Sequence, residues 1–190
     1  LNETLMSVAL PRLRTDLEVT ANAAQWLTTA FLLTMAVVIP ITGYLLQRLP
    51  TRTVFLMAMS FFSLGTLICA ISPRLIPLVA GRIVQAIGTA IMMPLLMTTV
   101  MALVPAESRG KTMGNISVVI SVAPAIGPTL SGLILEFFHW RWLFILPIAL
   151  VAVAAVLTSL HVPNSVEHAE HPFDVVGSVL SALAIGGIVL

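Results

Sequence analysis

The charged residues of this chain are spaced so that stretches as long as a bilayer is thick hold none of them. No Asp, Glu, Lys or Arg falls between Glu18 and Arg48, between Arg52 and Arg74, between Arg82 and Glu107, between Lys111 and Glu136, or between Arg141 and Glu167. A helix rises about 1.5 Å per residue and the hydrocarbon core is about 30 Å thick, so a spanning helix needs roughly 20 residues with few or no charges. The spacing predicts five complete spans, near residues 25–46, 53–72, 75–98, 112–135 and 142–160. Composition points the same way: 58% of the 190 residues are hydrophobic and 9% charged, against about 25% charged in a soluble domain. Nine Lys plus Arg against eight Asp plus Glu, with no basic stretch, excludes nucleic acid as a partner, because nothing gathers to neutralise phosphates. The single Cys69 lies in an apolar run and reads as a small buried hydrophobe.

Both ends carry partial helices. Residues 1–13 are apolar but too short to cross, and 175–190 stop inside another apolar run. A signal peptide is a poor reading of the start, which lacks a basic region and carries Glu3. The expected organisation is an all-α fragment of a larger polytopic protein: a transmembrane bundle at 1–160 with its first helix truncated, a polar linker at 161–174, and the start of another span at 175–190. Short connections make consecutive helices antiparallel. Alternation then places Arg48, Arg52, Arg109 and Lys111 on one membrane face and Arg12, Arg14, Arg74 and Arg141 on the other. Four against four, these charges do not orient the bundle by the positive-inside rule.

Charge at depth is expensive, so each instance is a functional hypothesis. Glu3 lies nine residues before Arg12 and Arg82 eight after Arg74, which sets both roughly 12 to 14 Å below the same face. Two roles fit the pair. Glu3 exchanges protons in a cavity while Arg82 tunes it, or the two form a static ion pair that fixes helix register. Gln85 shares the Arg82 helix face and either extends a polar wall or makes one interhelical hydrogen bond, while Gly81 and Gly88 let backbones approach. In the span after Lys111, Gly114, Ser117, Ser121, Ala125, Pro128 and Gly132 recur every three or four residues. That stripe suits tight helix packing, and Pro124 and Pro128 with Gly127 suit a bend or seal.

Other features carry less. Met92, Met93, Met97 and Met101 suit gap filling, with an adaptable substrate surface as the alternative. Trp140 and Trp142 flank Arg141 at a helix end as an interfacial belt would. His161, His168 and His171 among Glu167 and Glu170 read as a solvated loop. The residues supply no catalytic constellation, no metal site and no cofactor motif.

Taken together, these motifs resemble the amino-terminal half of a major facilitator superfamily transporter, in the drug:proton antiporter branch that has fourteen helices. Leu1-Asn2-Glu3-Thr4 with Val8-Ala9-Leu10-Pro11 is similar to that branch's first-helix motif as seen in lincomycin-type and other multidrug exporters. Gly81-Arg82 with Gln85 and Gly88 resembles the fourth-helix motif, whose Arg the family links to proton coupling. Residues 124–132, with Pro124, Gly127, Pro128, Ser131 and Gly132, resemble the fifth-helix antiporter motif, which tends to mark exporters. Trp140-Arg141-Trp142-Leu143-Phe144 and Phe173-Asp174-Val175-Val176-Gly177 fit the start of helix six and the entry to the branch's extra linker helix. The cytoplasmic gating loop is represented by Gly43, Arg48 and Arg52, with Gln47 where the family has Asp; Ser131 and Ala86 stand where Gly is usual.

The resemblance implies a multi-pass protein of the bacterial cytoplasmic membrane with the Arg48 face inside. It implies proton-coupled efflux of lipophilic drugs by alternating access, without cofactor or catalysis. Its partners would be small-molecule substrate, protons, lipid and the carboxy-terminal bundle of the same chain. An uptake symporter on the same fold and a non-transporting sensor or scaffold are the competing readings.

Overall fold

The computed structural model describes the backbone of residues 2–161 and the side chains of residues 3–154. Its six helices, in order, are α1 (Asn2–Asp16), α2 (Ala21–Arg48), α3 (Thr51–Ile71), α4 (Leu75–Leu103), α5 (Ala106–Phe137) and α6 (Trp142–His161). The described residues contain no strand. Helices α2, α3, α4 and α5 are each long and apolar enough to cross a membrane. The fifth expected span is α6, whose described side chains end at Ala154. The linker expected at 161–174, past its first residue, and the helix expected at 175–190 lie outside the described residues.

The helices run further than the charge-free windows. α4 and α5 have 29 and 32 residues, about 44 and 48 Å at the helical rise, and so project beyond the hydrocarbon. The stretch from Pro105 to Lys111, expected as a connection, is mostly the first turns of α5. Charges mark the edge of lipid, whereas a helix ends where its terminal groups find other partners. Arg109 provides such partners, donating from Nε to the Val104 carbonyl (3.0 Å) and from Nη2 to that of Met101 (2.8 Å) at the end of α4. At the other face, Glu18 adopts φ 52° to turn the chain after α1, and the Thr20 hydroxyl caps α2 by accepting from the Ala23 amide.

The α1 end, the α3 end and the α5–α6 junction meet on one face. His139 reaches Asp16 at 3.5 Å, and Arg141 donates to the Ser72 carbonyl at 3.2 Å while covering the Trp140 ring. Trp140 corrects the sequence reading. It is no interfacial belt residue but a core residue, 1% exposed, packed in one cluster with Leu13, Leu27, Leu78 and Phe144. The bend before α6 turns its indole inward, whereas Trp142 on the next turn is half-exposed. Cys69 belongs to the same core. A second core, of Val54, Ala58, Ile91 and Leu95, holds α3 to α4 towards the Arg48 end. Met92 packs against that core, while Met93, Met97 and Met101 stay on the exposed side of α4.

Candidate functional site

Helices α3 and α4 touch backbone to backbone because small residues face each other. Ala58 and Gly65 lie seven apart on α3, and Gly81 and Gly88 seven apart on the antiparallel α4. A Cβ built at Gly65 would lie 2.6 Å from the Gly81 carbonyl oxygen, and one at Gly88 would lie 2.6 Å from the Phe62 amide nitrogen. Both gaps are too small for any side chain. This closeness brings a buried polar chain into hydrogen-bond range between the helices.

Arg82 sits at the centre of that chain with no exposed surface. Its Nε donates to the Leu27 carbonyl of α2 at 3.3 Å, and Nη1 donates to Gln85 Oε1 at 2.7 Å. The guanidinium carbon lies 4.1 Å from the centre of the Phe31 ring, the geometry of a cation–π contact. Gln85 Nε2 in turn donates to Thr66 Oγ1 on α3 at 2.7 Å, and Thr66 donates to the Phe62 carbonyl at 2.6 Å. Gln85 and Thr66 are as buried as Arg82. An unpaired charge cannot be kept dry cheaply; here a charge-assisted bond, a backbone acceptor and an aromatic face share the load. Gln85 thus makes an interhelical hydrogen bond and has no exposed surface.

Glu3 lies differently. It stands exposed in the first turn of α1, whereas Cys69 on α3 is a buried thiol. One to three turns further along the same α1 face, Ser7, Leu10, Pro11 and Arg14 line a cleft with Ala21, Ala24 and Gln25 at the start of α2. The α1 helix is held to α5: Ser131 Oγ donates to the Leu5 carbonyl at 3.0 Å, and Gly127, Ser131 and Ile134 are the buried face of α5. Ser131, which departs from the usual Gly of the motif, is thus the residue that ties the two helices together.

The small-residue stripe of α5 is a different face. Gly114, Ser117, Ser121, Ala125, Pro128 and Gly132 are all exposed, and a Cβ at Gly114 or Gly132 would meet nothing within 4 Å. Against expectation, that stripe packs on no helix among the described residues. Pro124 and Pro128 both lie inside α5, which continues through them. At the α2–α3 junction, Gly43 is exposed, Arg48 lies 5.0 Å over the Tyr44 ring at the end of α2, and Arg52 stands in the first turn of α3. These three are near in sequence and remote from Arg82.

Sequence reasoning passed over Phe31, Thr66 and Gly65. For Gly65 a signal existed in the matched seven-residue spacings on α3 and α4. Thr66 and Phe31 look like ordinary apolar-helix residues, and only the fold reveals what they touch.

A family profile described as Major Facilitator Superfamily matches residues 1–189 of the chain. Over 188 residues, 99% of this chain and 40% of the relative, the sequence is 42% identical to a protein named Uncharacterized MFS-type transporter YcnB of Bacillus subtilis (strain 168). It is 41% identical, over 99% of this chain and 39% of the relative, to the Lincomycin resistance protein LmrB of the same organism. To the Putative multidrug resistance protein MdtD of Yersinia pseudotuberculosis serotype I (strain IP32953) it is 31% identical, over 100% of this chain and 41% of the relative. The chain thus spans about two fifths of the length of the curated relatives it matches.

Proposed function

From the premise that this chain belongs to the Major Facilitator Superfamily, a multi-pass bacterial membrane protein, we propose that it forms part of a proton-coupled exporter of lipophilic drugs. The observation that carries this reading is the contrast between two charges. Arg82 is fully buried and held by α2 and α4 with α3 behind them, and Glu3 is exposed. A scaffold that used both charges only to fix helix register would lock Glu3 dry against the arginine. An exposed carboxylate is instead accessible to a proton or to a cationic substrate, while Arg82 stays a fixed positive charge. Relatives named for lincomycin resistance and multidrug resistance support the choice of cargo.

In this reading Gly127 and Pro128 of α5 form the seal against uncoupled leak. Gly127 packs on the face that α5 turns to α1, so that the helix carrying Glu3 and the sealing helix move together. The missing carboxy-terminal bundle would supply the opposite wall of an alternating-access cavity. The Gly43, Arg48 and Arg52 loop would gate the cytoplasmic side.

The test uses the full-length parent in inside-out vesicles with an imposed proton gradient, adding lincomycin or a panel of lipophilic cations. Drug-dependent proton release is expected from the wild type and is expected to be lost in Glu3→Gln. No release from folded wild type refutes proton-coupled export, and undiminished release in Glu3→Gln refutes the role of Glu3.

A further inference from the structure

Of the residues touching the buried arginine network, Thr66 has the most constrained chemistry. Its hydroxyl carries one proton, and that proton is committed to the Phe62 carbonyl of its own helix at 2.6 Å. Towards α4 the oxygen therefore offers only lone pairs. Gln85 meets it with the amide NH₂ at 2.7 Å, which leaves Oε1 to face Arg82 Nη1 at 2.7 Å. The reversed amide would lose both bonds at once: the NH₂ would oppose a guanidinium NH, and Oε1 would oppose an oxygen with no proton to give. All three side chains have no exposed surface, so no water is at hand to repair the loss.

We propose that Thr66 is a positioning residue for proton coupling: by fixing which end of the Gln85 amide faces α4, it aims the Arg82 guanidinium onto the Phe31 ring and the Leu27 carbonyl. This rests on the exporter reading for its functional consequence, though not for the placement of Arg82. The route is specific. Thr66 on α3 does not touch the guanidinium; it acts on it through one amide, and Gly65 next to it sets the helix separation at which that amide reaches. The titratable groups that bear on Arg82 are the buried Cys69 thiol of α3 and the exposed Glu3 carboxylate of α1. A guanidinium released from its clamp would present a different field to Glu3, the exposed one of the two.

The proposal predicts that Thr66→Val, which keeps the volume and removes the acceptor, uncouples without unfolding, and that Thr66→Ser, which restores the acceptor, rescues. Two measurements on the full-length protein decide it. In the first, the protein is labelled with ¹⁵N-arginine and the Arg82 Nε–H resonance is assigned by its absence in Arg82→Lys. That signal should be displaced by the Phe31 ring current and slow to exchange in wild type and Thr66→Ser, and should shift and exchange faster in Thr66→Val. An unchanged resonance in Thr66→Val overturns the proposal whatever the protein transports. In the second, lincomycin-driven proton release is followed against pH in inside-out vesicles. Thr66→Val should lower release by about tenfold, the factor carried by one buried hydrogen bond, and displace the pH profile, with Thr66→Ser like wild type. A wild-type profile in Thr66→Val at equal abundance overturns the coupling role. Absence of release from the wild type refutes the exporter reading instead, and the arginine resonance then decides the placement of Arg82 by itself. Should Thr66→Val fail to fold while Thr66→Ser folds with a displaced Arg82 signal, the hydroxyl is not the positioning group and the proposal falls.

Discussion

Replacing Gly65 by Ala should destabilise the protein, although helix propensity alone says the reverse. In a helix interior Ala is favoured over Gly by roughly 0.5–1 kcal/mol. At Gly65, however, the new Cβ would lie 2.6 Å from the Gly81 carbonyl oxygen and 2.7 Å from Gln85 Cα. Non-bonded carbon contacts settle near 3.5 Å, and the Gln85 backbone nitrogen is nearer still, so α3 and α4 must separate locally by at least about 0.8 Å. Both obstacles are main chain in the middle of a helix and have no rotamer to swing away. Overpacking of that kind costs about 1–3 kcal/mol, which outweighs the propensity gain and leaves a net loss on the order of 1–2 kcal/mol. Gly110→Ala is the control, since a Cβ there meets nothing within 4 Å; it should be neutral or stabilising. Reversible unfolding of the full-length protein in detergent, titrated with a denaturing surfactant, measures both. A Gly65→Ala protein as stable as wild type, or more so, would refute the argument that α3 and α4 are in backbone contact.

Two further outcomes follow from single side chains. Trp140 is 1% exposed, and its Nε1 has no hydrogen-bond partner among the described residues, so Trp140→Phe gives up no bond and should cost less than about 1.5 kcal/mol. Trp140→Ala should cost about 3–5 kcal/mol in the same titration, and equal losses for the two would show that the indole NH matters. Gly127→Leu must push a side chain into the face that α5 turns to α1; on the proposed exporter reading drug-dependent transport should fall and proton leak rise, and if neither changes in vesicles Gly127 is not part of a seal.

The membrane architecture was legible because charge is costly in lipid wherever it falls, so its spacing alone locates the spans. Helix ends were less legible. Arg109 reads as a loop charge by sequence, yet it closes the end of α4 from within α5, a partnership that depends on the geometry of the junction. Counting residues singled out Glu3 and Arg82 but not their different environments, because burial depends on neighbours that only tertiary packing supplies. Trp140 shows the same limit: an aromatic next to an arginine at a helix end fits a belt until the bend before α6 turns it inward. On α5 the small residues were visible, while the face that packs on α1 proved to be Gly127, Ser131 and Ile134.

The division of labour between the helices bears on which charge can do work in an exporter. A guanidinium keeps its proton at physiological pH, and Arg82 is held by two side chains and a carbonyl from neighbouring turns and helices. Its field is thus nearly constant while α2, α3 and α4 remain packed. Glu3 sits on a different pair, α1 tied to α5 through Ser131, and is exposed. Under the proposed exporter reading, Glu3 is the group whose occupant changes and Arg82 the group that stays fixed. Loosening Arg82 should disturb coupling more than binding, whereas neutralising Glu3 should remove both. That contrast between Thr66→Val and Glu3→Gln is what separates a tuned carboxylate from a structural pair of charges.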